Sequence, residues 1–306
     1  MWRDLSIPRL ARRAGPYPRH FLRHLATRPY RVGLPARRGS ARVRAAVYDA
    51  VMNLLLDGYA DLAGHALRPE TGRLVVRLNR LLAAFDDRFE HRRATGASLA
   101  FDDVLGDPPV PEHLAALADF LAGYPEGTAI RGYLTGRIAD QYDGYVTLAS
   151  APDATVDLDR QLELARLDSA GFAQCFAQSV GLFHRETPDP PALDQFAGLG
   201  MVAKLADDIL DFAEDHVAGA INLMRGILHR YLDEERRAVD RPAGERTGIA
   251  WWRAHCPRAF TDFTALVQQQ RGRLSSARLR LASDLMLVPV RRGRTLLRSA
   301  PVGLRI

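Results

Sequence analysis

Residues 200–215 read Gly200-Met201-Val202-Ala203-Lys204-Leu205-Ala206-Asp207-Asp208-Ile209-Leu210-Asp211-Phe212-Ala213-Glu214-Asp215, and their periodicity is helical. Side chains three and four apart share one face of a helix, so Lys204, Asp207, Asp208, Asp211 and Asp215 form a polar strip. Val202, Leu205, Ile209 and Phe212 fill much of the rest of the surface. Like charges at i, i+4 repel one another, and the apolar flanks place the strip in a partly buried setting where uncompensated carboxylates are costly. Bound divalent cations relieve that cost, and hard oxygen donors from Asp and Glu are what Mg²⁺ prefers.

A second acidic cluster lies upstream in Leu81-Leu82-Ala83-Ala84-Phe85-Asp86-Asp87-Arg88-Phe89-Glu90. Asp86 and Glu90 are one helical turn apart, with Asp87 adjacent. The run Asp102-Asp103-Val104-Leu105-Gly106-Asp107 competes with it, but Gly106 and the Pro108-Pro109 pair place that group in a turn.

Outward from these clusters the chain continues as helices joined by Gly and Pro punctuation. The expected helices cover 41–65, 70–94, 111–123, 127–150, 157–184, 190–216, 220–239, 249–272 and 273–287. Ala, Leu and Arg dominate and β-branched alternation is scarce, which makes this an all-α chain. Its 306 residues, 47% apolar and 25% charged, suffice for one large globular domain. The expected organisation is an Arg-rich segment over 1–45, a single all-α domain over 46–287, and a basic tail over 288–306.

The net charge of +6 hides a segregation. Residues 1–45 carry twelve Arg and one acid, and residues 271–306 carry nine Arg and only Asp284, which leaves the middle near −13. A nucleic-acid binder concentrates basic residues on its folded reading surface, so nucleic acid is not an expected partner. Solvated ends are one reading, and peripheral contact with an anionic membrane is the other. No apolar run reaches the roughly 18 residues of a membrane span. Cys175 and Cys256 lie far apart without metal-ligand spacing, and no continuous apolar leader opens the chain, so a cytoplasmic protein is expected. Lys204 is the only lysine, a hint that its position suits a compact ammonium.

Lys204-x-x-Asp207-Asp208-x-x-Asp211 resembles the second aspartate-rich motif of the trans-prenyl diphosphate synthases. The continuation through Glu214-Asp215, Gly219 and Asn222 is more similar to squalene and phytoene synthases and to the bacterial tetraprenyl-curcumene synthases. Asp86-Asp87-x-x-Glu90 resembles the first aspartate-rich motif, with Glu in place of its last Asp. Asn222 is followed by Gly226 and Arg230, which departs from the Asn-Ser-Glu triad of most bacterial terpene cyclases. The matched motifs cover about 30 residues.

The resemblance implies the class I terpenoid-synthase fold, a helical bundle around a central apolar pocket, with the two acidic helices facing each other at its mouth. It implies that Asp86, Asp87, Glu90, Asp207, Asp211 and Asp215 hold Mg²⁺, three ions by analogy, with Asp208 beside them in the catalytic cluster. The expected reaction ionises a linear prenyl diphosphate, C15 to C25 with geranylgeranyl diphosphate first, and cyclises the cation with release of diphosphate. Head-to-head or chain-elongating condensation of two prenyl units stays open, as does a non-catalytic protein docking on membranes, and a homodimer is left open.

Lys204 either contacts the diphosphate or forms a salt bridge to a neighbouring aspartate. Among the arginines, Arg166 is the preferred diphosphate clamp and Arg131 the next, ahead of Arg137 and Arg160. Aromatic faces stabilise cations without attacking them. Tyr142, Phe172 and Phe176 are the chosen pocket residues from a set that also holds Phe85, Phe89, Tyr145, Phe183, Phe212, Trp251 and Trp252. Ser169 and Gly171 interrupt an apolar helix and mark an expected backbone break beside the pocket.

Overall fold

A computed structural model describes residues 40–151, 153–231, 235 and 248–292. The Arg-rich stretch before residue 40 and the tail after 292 lie outside the described residues, and so does the membrane contact expected of them. Among the described residues no strand occurs, and no helix is long and apolar enough to cross a membrane.

The helices are α1 (Ser40–Ala63), α2 (Thr71–Thr95), α3 (Phe101–Leu105), α4 (Val110–Ala122), α5 (Gly127–Ala149), α6 (Leu158–Ala165), α7 (Gly171–Phe183), α8 (Pro190–Ala218), α9 (Leu223–His229), α10 (Gly248–His255), α11 (Pro257–Gly272) and α12 (Ala277–Arg292). One π-helical turn, Arg166–Ala170, joins α6 to α7. Among the described residues, helical structure reaches from Ser40 to Arg292, beyond both edges of the bundle expected from sequence.

The long acidic helix is α8, and local chemistry sets its ends. Asp189 caps its start by accepting the Ala192 N–H at 2.7 Å, with Pro190 and Pro191 in the first turn, where no backbone donor is lost. Gly219, at φ 67°, stops it in the left-handed conformation that suits glycine. Between these signals α8 runs 29 residues, about 43 Å. It packs against α7, α9, α11, α12 and the π turn, which makes it the axis of the bundle.

Three apolar clusters surround this axis. Met201, Val202, Leu205, Ile209 and Phe212 of α8 join Trp252, Phe260 and Phe263. Leu74, Leu78, Phe85 and Phe89 of α2 pack with residues of α4 and α5. Val51, Leu54 and Tyr59 of α1 meet Phe196, Leu279 and Ala282. Each helix buries one stripe, as expected of amphipathic helices in a bundle.

Three departures from the expected helices have local causes. The helix expected over 249–272 breaks at Cys256 (φ −135°), because Pro257 disfavours a helical residue before it. The helix expected over 220–239 starts at 223, where Asn222 caps it by accepting the Met224 N–H at 2.9 Å, and stops after His229; residues 232–234 and 236–239 lie outside the described residues. Asp102 and Asp103, expected in a turn, sit in the short helix α3, which ends at Gly106.

Candidate active site

The acidic strip of α8 and that of α2 line one cavity of about 560 Å³. Lys204, Asp207, Asp211 and Asp215 come from α8, and Asp86 and Glu90 from α2. The apolar wall consists of Phe85, Phe89, Ile138, Tyr142, Leu167 and Phe172. The pocket is thus lined by carboxylates and by aromatic and aliphatic side chains together, in the size range of small-molecule sites.

Asp168 enters the same cavity from the π turn and is a member of the site that sequence reasoning passed over. A π turn inserts an extra residue and rotates the facing of the side chains after it. Two glycines make room for it: a Cβ at Gly171 would fall 1.6 Å from Gln141 Nε2, and one at Gly200 would fall 2.2 Å from the Ser169 carbonyl oxygen. Gln141 Nε2 in turn donates to the Leu167 carbonyl at 3.1 Å. The interruption read from Ser169 and Gly171 takes the form of a π turn inside a helical run that continues from Leu158 to Phe183, not of a break. That interruption was the signal for Asp168.

The cavity's ionisable lining is strongly negative. Asp86, Glu90, Asp168, Asp207, Asp211 and Asp215 face Lys204 and Arg93, with His91 beside them. Burial, reinforced by the Asp168 and Glu90 charges, pushes the Asp86 carboxyl up to about 7. Burial also raises Asp168. Asp207 rises well above the carboxylate range, through burial and then the charges of Asp211, Asp208 and Asp215, against the pull of Lys204. Burial alone would depress Lys204, but Asp208, Asp168 and Asp207 overcome it and hold the ammonium charged.

The two readings of Lys204 are compatible in the structure. Its Nζ lies 3.1 Å from Asp208 Oδ1 and the side chain also lines the cavity. Asp208 itself is turned away from the cavity: it is 1% exposed, and its Oδ2 accepts the Leu223 N–H at 2.8 Å. It anchors α9 to α8 and positions Lys204. Asp215, at the cavity rim, accepts a hydrogen bond from Asn222 Nδ2 at 2.8 Å.

The aromatic wall is locked edge to face. Tyr142 meets Phe85 at 5.4 Å and 84°, and Phe89 at 5.5 Å and 86° between rings. The Tyr142 hydroxyl donates to the Leu99 carbonyl at 2.6 Å, which satisfies its polar end. Tyr145 joins by an 81° contact with Phe89, and burial and the Asp168 charge keep its phenol protonated.

Four other expected residues do not reach the cavity. Asp87 follows Asp86 by about 100° of helical turn and is exposed. Arg131 is exposed near the start of α5, about 15 Å along the helix from Gln141. Arg166 opens the π turn and is also exposed, while the turn directs Asp168 inward. Phe176 is buried elsewhere, stacked on Phe196 at 6.0 Å. The guanidinium that does reach the cavity is Arg93, three residues after Glu90 and 3.8 Å from it. Its i, i+3 spacing was legible in the sequence.

The donor set suits hard divalent cations: the ligands on offer are carboxylates, crowded and raised in pKa by one another. Among the described residues, no three of these carboxylates offer oxygens within 4.8 Å of one another. Comparison of the chain with protein-family models, curated proteins and solved structures finds no match.

Proposed function

We propose that the chain is a Mg²⁺-dependent class I terpene synthase that ionises one linear prenyl diphosphate, C15 to C25, and cyclises the resulting cation. The observation that carries this reading is that one cavity is lined both by carboxylates from two helices and by aromatic rings. A prenyl diphosphate asks for both, having an anionic head on an apolar tail.

Asp86, Glu90, Asp207, Asp211 and Asp215 would hold Mg²⁺, which supplies Lewis-acid stabilisation of the leaving diphosphate. The Lys204 ammonium, fixed by Asp208, adds a hydrogen-bond donor to the same group, and Arg93 contributes a second positive charge. The allylic C–O bond breaks heterolytically and the electron pair leaves with the diphosphate. Phe85, Phe89, Tyr142 and Phe172 then enclose the cation, exclude water and offer π faces. Transfer of a proton from the cyclised cation to the released diphosphate would leave a neutral alkene and end the reaction.

Incubation with C10, C15, C20 and C25 diphosphates, with and without Mg²⁺, followed by gas chromatography and mass spectrometry, tests the reading. A cyclic hydrocarbon or alcohol formed from one substrate supports it. A product that needs two substrates would assign condensation, and no diphosphate release from any of them would remove the enzymatic reading. Contact of the Arg-rich ends with anionic membranes belongs to the same proposal. It predicts vesicle flotation that added salt abolishes.

A further inference from the structure

At the other end of α2, three side chains from two separate turns converge. His65 follows α1, and His184 and Glu186 follow α7. One ligand atom of each lies within 4.8 Å of the other two. His65 Nε2 is 2.7 Å from Glu186 Oε1, a contact between residues 121 apart in sequence. We propose that His65, His184 and Glu186 form a binding site for one zinc-class divalent ion, which ties the turn after α1 to the turn after α7.

Each imidazole is already oriented at one nitrogen. His65 Nδ1 donates to the Ala66 carbonyl at 3.0 Å, and the proton that Nε2 shares with Glu186 Oε1 is the one a metal ion would displace. His184 Nε2 is bonded at 2.8 Å to Oγ1 of Thr71, a residue 1% exposed in the first turn of α2. A carbonyl or hydroxyl behind the ring is the arrangement that fixes metal-bound histidines. Between His184 and Glu186, Arg185 takes a left-handed φ of 62°, unfavourable for a residue with a Cβ, and its guanidinium is held by the buried Glu126. That backbone turn sets the two flanking side chains beside His65.

The donor chemistry separates this site from the cavity. Two imidazoles and one carboxylate suit Zn²⁺ and its neighbours, whereas Mg²⁺ prefers oxygen alone. Fifteen residues of α2 separate Thr71 from Asp86, about 22 Å along the helix. The side chain of His65 is 41% exposed, so solvent completes the shell.

The test is titration of the untagged, chelator-treated full chain with Co²⁺ and then Zn²⁺, in excess Mg²⁺ to occupy the carboxylate cavity. One equivalent of Co²⁺ with visible d–d absorption, displaced by Zn²⁺ with a rise in Tm, is the expected result. His65→Ala, at an exposed position, and Glu186→Gln should weaken binding roughly 100-fold or more, and Thr71→Val by about 10–100-fold. Asp86→Asn should leave the isotherm unchanged; loss of Co²⁺ binding there would move the site to the cavity and overturn the assignment. It is equally overturned if the parent chain takes up neither ion, or if His65→Ala and Glu186→Gln both keep the parent isotherm.

Discussion

Gly200 lies directly against the backbone of Ser169: a Cβ at 200 would sit 2.2 Å from the Ser169 carbonyl oxygen. This close approach of α8 to the π turn brings Asp168 and the carboxylates of α8 to one cavity. Because the obstacle is backbone, Gly200→Ala forces the two elements apart. The variant should lose about 1–3 kcal/mol of stability in urea unfolding. At temperatures where it is still folded, Mg²⁺-dependent diphosphate release should fall further than stability accounts for.

Charge removal at constant shape tests the carboxylate lining. Asp207→Asn and Asp211→Asn should each lower turnover by roughly 10²–10³-fold, the scale of losing one strong electrostatic contact to a leaving group. Both variants should fold at least as well as the parent, since repulsion is relieved. Asp103→Asn, exposed and bonded to Ser98, should be mild by the same assay. Parent rates for both Asn variants on α8 would show that its acidic face is not the reactive site.

Asp208 should behave in the opposite way. It is buried, paired with Lys204 and bonded to the Leu223 N–H, so Asp208→Ala leaves a buried backbone donor unpaired and removes the ion-pair partner of Lys204, which keeps the charges of Asp168 and Asp207. Removing one partner of such a pair costs about 3–5 kcal/mol. Urea titration should therefore rank Asp208→Ala as severely destabilised and Asp211→Ala as near the parent.

The raised carboxyls give a pH dependence with a definite sign. Asp86 titrates at about 7 in the folded chain, against about 4 when unfolded. Between those values the folded state binds more protons than the unfolded state, so stability without divalent cations should decline as pH rises from about 4 to about 7. Asp168 and Asp207 shift in the same direction and steepen the decline. Mg²⁺, binding the ionised form, should flatten it, and Asp86→Asn should reduce the slope. Thermal melts across that window, with and without Mg²⁺, supply the measurement; a slope that neither Mg²⁺ nor Asp86→Asn changes would mean the carboxyls are not crowded as described.

The all-helical class, the position of α8 and the grouping of Lys204, Asp207, Asp211 and Asp215 were legible from residues alone. Helical periodicity and Pro or Gly stops act within a few residues, and the code for them is local. Asp86 and Glu90 were readable as one face of α2 for the same reason, and that logic, applied one step further, would have reached Arg93. Tertiary structure alone decided which of these faces meet across a cavity. It separated Asp207 from Asp208, adjacent in sequence, because only Asp208 has the Leu223 N–H to turn toward. It left Asp87, Arg131 and Arg166 at the surface, and it brought in Asp168 through a π turn whose room depends on Gly200, some thirty residues later in the chain. His65 and Glu186 meet across 121 residues, and no local pattern marks either as the other's neighbour. Pairings of that kind arise from how helices pack, which depends on the summed fit of many side chains rather than on the spacing of a few.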